Sequence, residues 1–589
     1  MKVSNIKRII KTYRLVLSQE KLLWLIYFIL EIFHSGSFVF VVLMTQQLFD
    51  NLSKSIRGGE STTVFVCVLS VFGSGLISQL LNGVTNYLIP YISDKVSGKL
   101  SITIQQKVNQ LEAIDYEYSE RLDAIQKARD SIQSACELTQ ATLSVIGFYV
   151  PYFIFMSLYL YANQSNLILS VLFVFVPVLI GQFVKAKFSY ELEDEIALMK
   201  RRSLAYEKTL TNTRYVKETK IMGAWHFFYK QLRDSLVAIN ATTSQNNKKR
   251  FILSLLLSLI SLTGYIVLLI MLFVSLIKKD ISIGAFGAIF SSIEVMFIIM
   301  DEMVTYTFGR ISEHSGLIIH LDRLFDLDEP TDYTIVKDQN SDDSIVLKNV
   351  SFQYPQSSKE ALKDITITIK KGECVALVGA NGSGKSTLVK LIMGLYQPTK
   401  GSVSINGYDT KETAPDMIFE HFSVVFQEFN RYKMTLRENI ELSDKNKHGS
   451  FKQALDKANF VKPSALSDDA VLSREFGGID LSGGQWQKVA IARSYYRDRE
   501  IVVLDEPTSA IDPIEEANLY RQFFALSRDK TSIIVTHRLG SATLADKIIL
   551  LENGQVIAQG THNELLKHTT YHHMWQSQAK WYVRKEMYL

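Results

Sequence analysis

The chain has 589 residues, enough for more than one domain, with 47% hydrophobic residues and a formal net charge of +4 at neutral pH. So mild a balance supplies no bulk attraction to nucleic acid, and none is expected as a partner. Three scattered cysteines, Cys67, Cys136 and Cys374, make neither a disulfide framework nor a metal site and read as reduced structural thiols.

The chain opens on an amphipathic stretch over residues 1–20. Ile6, Ile9, Ile10, Tyr13 and Leu17 fall on one helical face, and Lys7, Arg8, Lys11 and Arg14 on the other. That pattern suits a helix lying in a membrane interface. The apolar run behind it is too long for a cleavable signal peptide. Six stretches carry the roughly 20 apolar residues that a bilayer crossing needs. They lie near Leu22–Phe49, Val64–Ile92, Leu138–Tyr161, Leu167–Val184, Phe251–Ile277 and Ile281–Phe308. Glu31, His34 and Asn82 interrupt the first two, and such groups are expected to face other helices or a water-filled cavity.

Basic residues orient these spans. Lys95, Lys99, Lys107, Arg121, Lys127 and Arg129 lie between the second and third. A denser set, from Lys185 to Arg250, lies between the fourth and fifth. Both connections are therefore cytosolic, and the opposing Lys278-Lys279 pair is outweighed. Gly98 is the only glycine from Ser93 to Ala135, and Gly223 the only one from Lys185 to Arg250, with no proline in either stretch. The predicted elements are helices that continue out of the membrane, paired by turns near Glu112–Leu122 and Tyr215–Trp225. In the last span Glu294 and Asp301 are seven residues apart and share a face. Two acids there either give a cavity a negative potential, which favours cationic cargo, or bond to a neighbouring helix near the cytosolic end. The acidic segment 324–343 reads as a linker.

From Ser344 onward the texture is that of a soluble α/β domain, with strand alternation to Ile369. Cys374–Val378 is a buried-strand pattern that feeds Gly379-Ala380-Asn381-Gly382-Ser383-Gly384-Lys385-Ser386-Thr387, after which a helix begins. Strand, glycine loop and helix form a phosphate-binding loop. Its glycines let backbone N–H groups turn toward phosphates, and the helix N-terminus favours anions. Lys385 is placed to neutralise β- and γ-phosphate charge, and the Ser386 hydroxyl to ligate Mg²⁺. A second buried strand, Ile501–Leu504, ends in Asp505-Glu506. Asp505 is expected to hold Mg²⁺, through water or directly, and Glu506 to act as general base on the attacking water.

The run Leu481-Ser482-Gly483-Gly484-Gln485 adds what a phosphate loop alone lacks. With it the chain resembles the ATP-binding-cassette (ABC) transporters, and the fused order, membrane first and ATPase second, resembles their exporters. The expected fold class is multidomain: a six-helix all-α transmembrane domain with long cytosolic helix extensions, plus an α/β P-loop ABC ATPase domain. Residues 21–323 and 344–589 would form the two parts, and the cytosolic turns would be coupling helices. The resemblance implies that Tyr354 stacks on adenine and that Gln427 contacts Mg²⁺ and water. It further implies that His537 reaches the γ-phosphate and that Asp512 lies in a loop crossing a dimer seam. It also implies that Ser482, Gly483, Gly484 and Gln485 face nucleotide held by another copy, so the smallest complete machine is two chains, a homodimer or a heterodimer with a related chain.

The segments Phe422–Phe429 and Thr435–Ile440 are similar to those of bacterial bacteriocin and lanthipeptide exporters. Trp486 is unusual after the signature. Arg474–Asp480 departs from the Glu-x-Gly element that many exporters place there. With no cysteine before Cys67 and no room before the first span, no leader-cleaving cysteine protease domain is expected. The expected function is ATP-driven export of a peptide across the cytoplasmic membrane. The alternatives are a lipid or hydrophobic-drug exporter, a non-transporting ABC ATPase, which the spans oppose, and a regulated channel, which gains no support from the sequence.

Overall fold

The computed structural model describes residues 3–56, 61–164, 198–327, 343–444, 449–463, 466–505 and 529–586, with positions 58, 192, 195, 196, 333, 520, 523, 524 and 527. The fourth expected span, most of the 324–343 linker, Glu506 and Asp512 lie outside these residues. The chain divides into two compact units, Met1–Asn109 with Asp123–Asp328, and Gln110–Leu122 with Glu329–Leu589.

The first unit is helical. Among the described residues, five helices are long and apolar enough to cross a membrane: Lys21–Ile56, Thr62–Asn109, Ser119–Asn163, Trp225–Ile277 and Ile283–Asp301. All but Ile283–Asp301 are longer than a bilayer crossing needs, and two stand out. The helices Ser61–Asn109 and Trp225–Ile277 have 49 and 53 residues. At 1.5 Å per residue each is more than about 70 Å long, against a hydrocarbon core of about 30 Å.

Close helix packing in this unit follows from small residues. A Cβ added at Gly284 would lie 2.3 Å from the Gln46 carbonyl oxygen. The Gly284 N–H donates to Asp50 Oδ1 at 2.8 Å, and Ser282 caps the helix by accepting from the Ala285 N–H. Lipid offers no hydrophobic drive for helix association, so such backbone approach and hydrogen bonding matter more. Glu31 and His34 are buried, His34 beside the rings of Phe38 and Phe148. Glu294 and Asp301 lie on the exposed side of their helix, away from the buried face formed by Ala285, Ala288, Ser292, Met296 and Ile299. The N-terminal helix Val3–Gln19 buries Thr12 and Val16 and is tied down by an exposed basic side chain: Lys11 reaches Asp322 at 3.2 Å and Asp326 at 2.6 Å.

The second unit contains two sheets. Its strands are β1 Asp343–Gln353, β2 Glu360–Lys370, β3 Cys374–Gly379, β4 Lys400–Ile405, β5 Tyr408–Asp409, β6 Phe422–Val425, β7 Ile501–Asp505, β8 Thr531–Val535, β9 Lys547–Glu552 and β10 Gln555–Gly560. An antiparallel sheet has the order β2-β1-β4-β5, and a larger one the order β10-β9-β3-β8-β7-β6. The strands from β9 to β6 run parallel. Parallel strands are covered on both faces, which explains their unbroken apolar runs. On β7, Ile501 and Val503 join the core shared with the antiparallel sheet. Val502 and Leu504 join a second core, made with the helix Gly483–Arg497. Trp486 is a buried member of that second core.

Candidate nucleotide site

The parallel sheet brings the predicted groups to one edge. The phosphate loop leaves the carboxyl end of β3, Asp505 ends β7, His537 follows β8 and Gln427 follows β6. The registers Leu377↔Val535, Asp505↔Val535 and Val425↔Leu504 align these ends. In open α/β sheets, ligands bind at that carboxyl edge.

The loop's shape needs glycine at defined points. Gly384 has φ +103°, and a Cβ there would lie 2.8 Å from the Leu362 side chain. A Cβ at Gly379 would sit 2.3 Å from the Leu551 carbonyl oxygen of neighbouring β9. Lys385 is buried at the head of the helix Lys385–Ile392, its Nζ donating to the carbonyls of Gly379 and Ala380 at 3.0 and 3.2 Å. A lysine folded over its own loop in this way is set to trade carbonyl oxygens for phosphate oxygens. Ser383 Oγ is buried with no hydrogen-bond partner among the described residues. A polar atom so placed suits a loop built for an anion. Tyr354 lies against the same loop, its hydroxyl 3.0 Å from Thr387 Oγ1. Asp505 is buried at its strand end. These residues fit a nucleoside triphosphate with its metal.

The signature forms a helix cap. Ser482 accepts from the Gln485 N–H at 3.3 Å, while the Gln485 side chain accepts from the Ser482 N–H at 2.9 Å. This reciprocal pair starts the 15-residue helix Gly483–Arg497. Ser482 is exposed, so the positive end of that helix is open to an incoming anion.

Sequence reasoning missed the groups that brace this edge. Arg493 donates to the Asn439 and Asn430 carbonyls at 2.7 and 2.8 Å and to Asn439 Oδ1 at 2.6 Å. Arg497 donates to the carbonyls of Phe422, Ser443 and Phe419, each at 2.8 Å. Burial lowers the pKa of both guanidiniums, yet their hydrogen bonds are to neutral acceptors that fix main chain on either side of Gln427. The segment Ala113–Glu117 also packs here. Ala113 and Ile114 lie against the main core, Tyr396 donates to Glu117, and Tyr333 donates to Glu112 at 3.0 Å. Cys374 is a free thiol that burial pushes up to about 11, in keeping with a structural role.

The ABC transporter family matches residues 362–509, which include the phosphate loop, the signature and Asp505. The chain is 29% identical over 583 residues to the subtilin transport ATP-binding protein SpaT of Bacillus subtilis, covering 95% of this chain and 92% of that one. It is 28% identical over 556 residues to the nisin transport ATP-binding protein NisT of Lactococcus lactis, covering 90% of each. An ATP-dependent lipid A-core flippase of Haemophilus ducreyi is 26% identical over 516 residues, covering 83% of this chain and 84% of its own. The fold matches a bacterial Atm1-family ABC exporter solved with ATP bound, at a TM-score of 0.76 and 19% identity, over 98% of this chain and 99% of that one. Residues 362–509 form an ABC ATPase cassette, and along nearly its whole length the chain has the organisation of an ABC half-transporter, a multi-pass membrane region fused to one cytosolic ATPase cassette that drives transport.

Proposed function

We propose that two copies of the chain assemble in the cytoplasmic membrane and export a peptide by alternating access. The observation that carries this reading is the extent of the similarity to the subtilin and nisin transport proteins, which runs through both halves of the chain. The putatively multidrug-exporting relatives of Staphylococcus aureus reach 37% identity but over 240 residues, 40% of the chain. A match of that length leaves most of the chain, including much of what handles cargo, unaddressed. The lipid A-core flippase spans more, and it keeps a lipid or hydrophobic-drug exporter as the second reading.

In this mechanism Tyr354 stacks on adenine, and the loop Gly379–Thr387, with Asn381, Gly382 and Ser383 at its bend, wraps the phosphates. Lys385 neutralises the β- and γ-phosphates. Ser386, Gln427 and Asp505 hold Mg²⁺, which screens phosphate charge when bound. Glu506 takes the proton of the attacking water, and His537 steadies the γ-phosphate. Ser482, Gly483, Gly484 and Gln485 of the other copy close the site, beside the loop carrying Asp512. The opening and closing of two such sites turns the membrane helices, through the segments near 112–122 and 215–225.

The cargo is cationic in this reading. Glu294 and Asp301 share the exposed side of the last described span. Acids facing lipid cost about 2.5 kcal/mol or more each, which favours a cavity or a partner helix in front of them. Inside-out proteoliposomes test the cargo class. A basic peptide is expected to stimulate ATP hydrolysis and accumulate, a neutral peptide of equal length to do so less, and Glu294→Gln with Asp301→Asn to erase the difference. Stimulation by lipid or a hydrophobic dye, with no response to either peptide, would replace this reading with the second one.

A further inference from the structure

We infer that Gln578, on the last helix of the chain, is a positioning residue that holds His537 for hydrolysis. The inference rests on the reading of His537 as the group that reaches the γ-phosphate.

His537 is exposed, and it lies in a short link between β8 and the turn of helix Leu539–Ala542. On one side the link is anchored: the Thr536 N–H donates to the Leu377 carbonyl at 3.2 Å, and Thr536 Oγ1 accepts from the Arg538 N–H at 3.0 Å. On the other side Gln578 closes it. The Gln578 amide nitrogen donates to the His537 carbonyl at 2.6 Å, and its oxygen accepts from the Leu539 N–H at 2.8 Å. One planar side-chain amide thus bonds the main chain on both sides of Arg538. The first N–H groups of a helix have no partner within it, so the Leu539 bond also satisfies a donor that the short helix leaves open. The two bonds need a donor and an acceptor on one rigid group, and the planar amide provides both.

The clamp is itself anchored. Gln578 belongs to the helix Thr569–Glu586. Tyr571, Met574, Trp575 and Gln578 recur at steps of three and four and so share a face. Tyr571 is fully buried in a core with Val378, the residue before the phosphate loop begins, and with Leu539. Its hydroxyl lies 2.9 Å from His562 Nδ1, and the His562 ring packs on Trp575. The apolar part of the face docks the helix, and the amide one turn on reaches the histidine loop. A side chain that acts on a phosphate from a loop needs its backbone fixed, because small misplacements of a catalytic group cost much of its effect.

The test uses the full-length protein in nanodiscs, with steady-state ATPase kinetics and binding of a fluorescent ATP analogue. Gln578→Glu keeps the size and the acceptor but turns a second oxygen toward the His537 carbonyl. Gln578→Ala removes the clamp without repulsion and serves if the first variant folds poorly. Either is expected to lower kcat roughly tenfold with KM for ATP and analogue binding little changed, as for a loss felt only at the chemical step. In a His537→Ala background the same change should add no further loss in single-turnover rate. A purely structural role would lower nucleotide binding and add its cost on top of His537→Ala, which would overturn the inference. So would wild-type kcat in both Gln578 variants while His537→Ala is impaired. Wild-type hydrolysis by His537→Ala would instead remove the reading of His537 itself, and the inference with it.

Discussion

Asp505 is the last residue of a strand whose positions are all buried, and Glu506 follows it in the chain. Two adjacent acids at the carboxyl end of a strand are a poor choice for packing, which is why the pair reads as chemistry in the sequence. Glu506→Gln is expected to retain ATP binding, since Lys385 and the loop are untouched, and to lose nearly all turnover, since the amide cannot accept the proton of the attacking water. Binding of a fluorescent ATP analogue together with phosphate release checks both halves, and phosphate release at the wild-type rate would take Glu506 out of the role. The arginines were less legible. The phosphate loop announces itself through spacing within one short segment, because one loop makes the whole cradle. Arg493 and Arg497 bond to main-chain carbonyls at Asn430, Asn439, Phe419, Phe422 and Ser443, all at least 50 positions away. Carbonyls carry no side-chain signature, so such clamps become visible only once the fold has brought the segments together. Gln578 escaped for the same reason.

At the scale of elements, strands and membrane helices were readable because burial on both faces and bilayer thickness each impose long apolar runs. The turns between the long helices were readable as positions but not as contacts. The segment Ala113–Glu117 is a single short turn, held by Asp115 bonding to the Glu112 N–H at 3.0 Å and pairing with Arg121. What it touches is an aromatic set. Tyr396 stacks on Phe352 with ring planes 14° apart and meets Tyr354 edge-on, and Tyr354 bonds Thr387 of the phosphate loop. Burial, and then the bond to Glu117, push the Tyr396 hydroxyl well above its ordinary pKa, so it remains a donor at any physiological pH. Lys390 completes the group, 3.1 Å from that hydroxyl. Tyr396→Phe keeps the ring packing and removes the bond to Glu117, a charge-assisted hydrogen bond of about 1.5–3 kcal/mol. The expected outcome is basal ATP hydrolysis close to wild type with the stimulation by cargo much reduced. Glu117→Gln, which keeps an acceptor without the charge, should lose less. If both variants respond to cargo as the wild type does, the contact is packing and carries no coupling.

For the whole molecule, the feature behind the proposed dimer is that one chain holds one phosphate loop and one signature. Lys385 is buried within its loop, whereas Ser482 caps an exposed helix end. In the proposed homodimer each site takes Lys385 from one copy and Ser482 from the other. Lys385→Ala removes the cation for the phosphates. Ser482→Arg removes a helix cap, at a cost of about 1 kcal/mol, and sets a cation at the positive end of the helix. Each variant alone should be inactive, because both of its sites are damaged. A dimer formed from one of each has a site with both lesions and a site with none. Mixing the two variants before reconstitution is therefore expected to restore part of the activity, up to about a quarter of wild type for random pairing in a two-fold assembly. Vanadate trapping of nucleotide separates the remaining cases. Trapping in the mixture without turnover means that the composite site forms but two working sites are needed for transport. Cross-linked mixed dimers that trap no nucleotide would show that Lys385 and Ser482 do not meet across the pair.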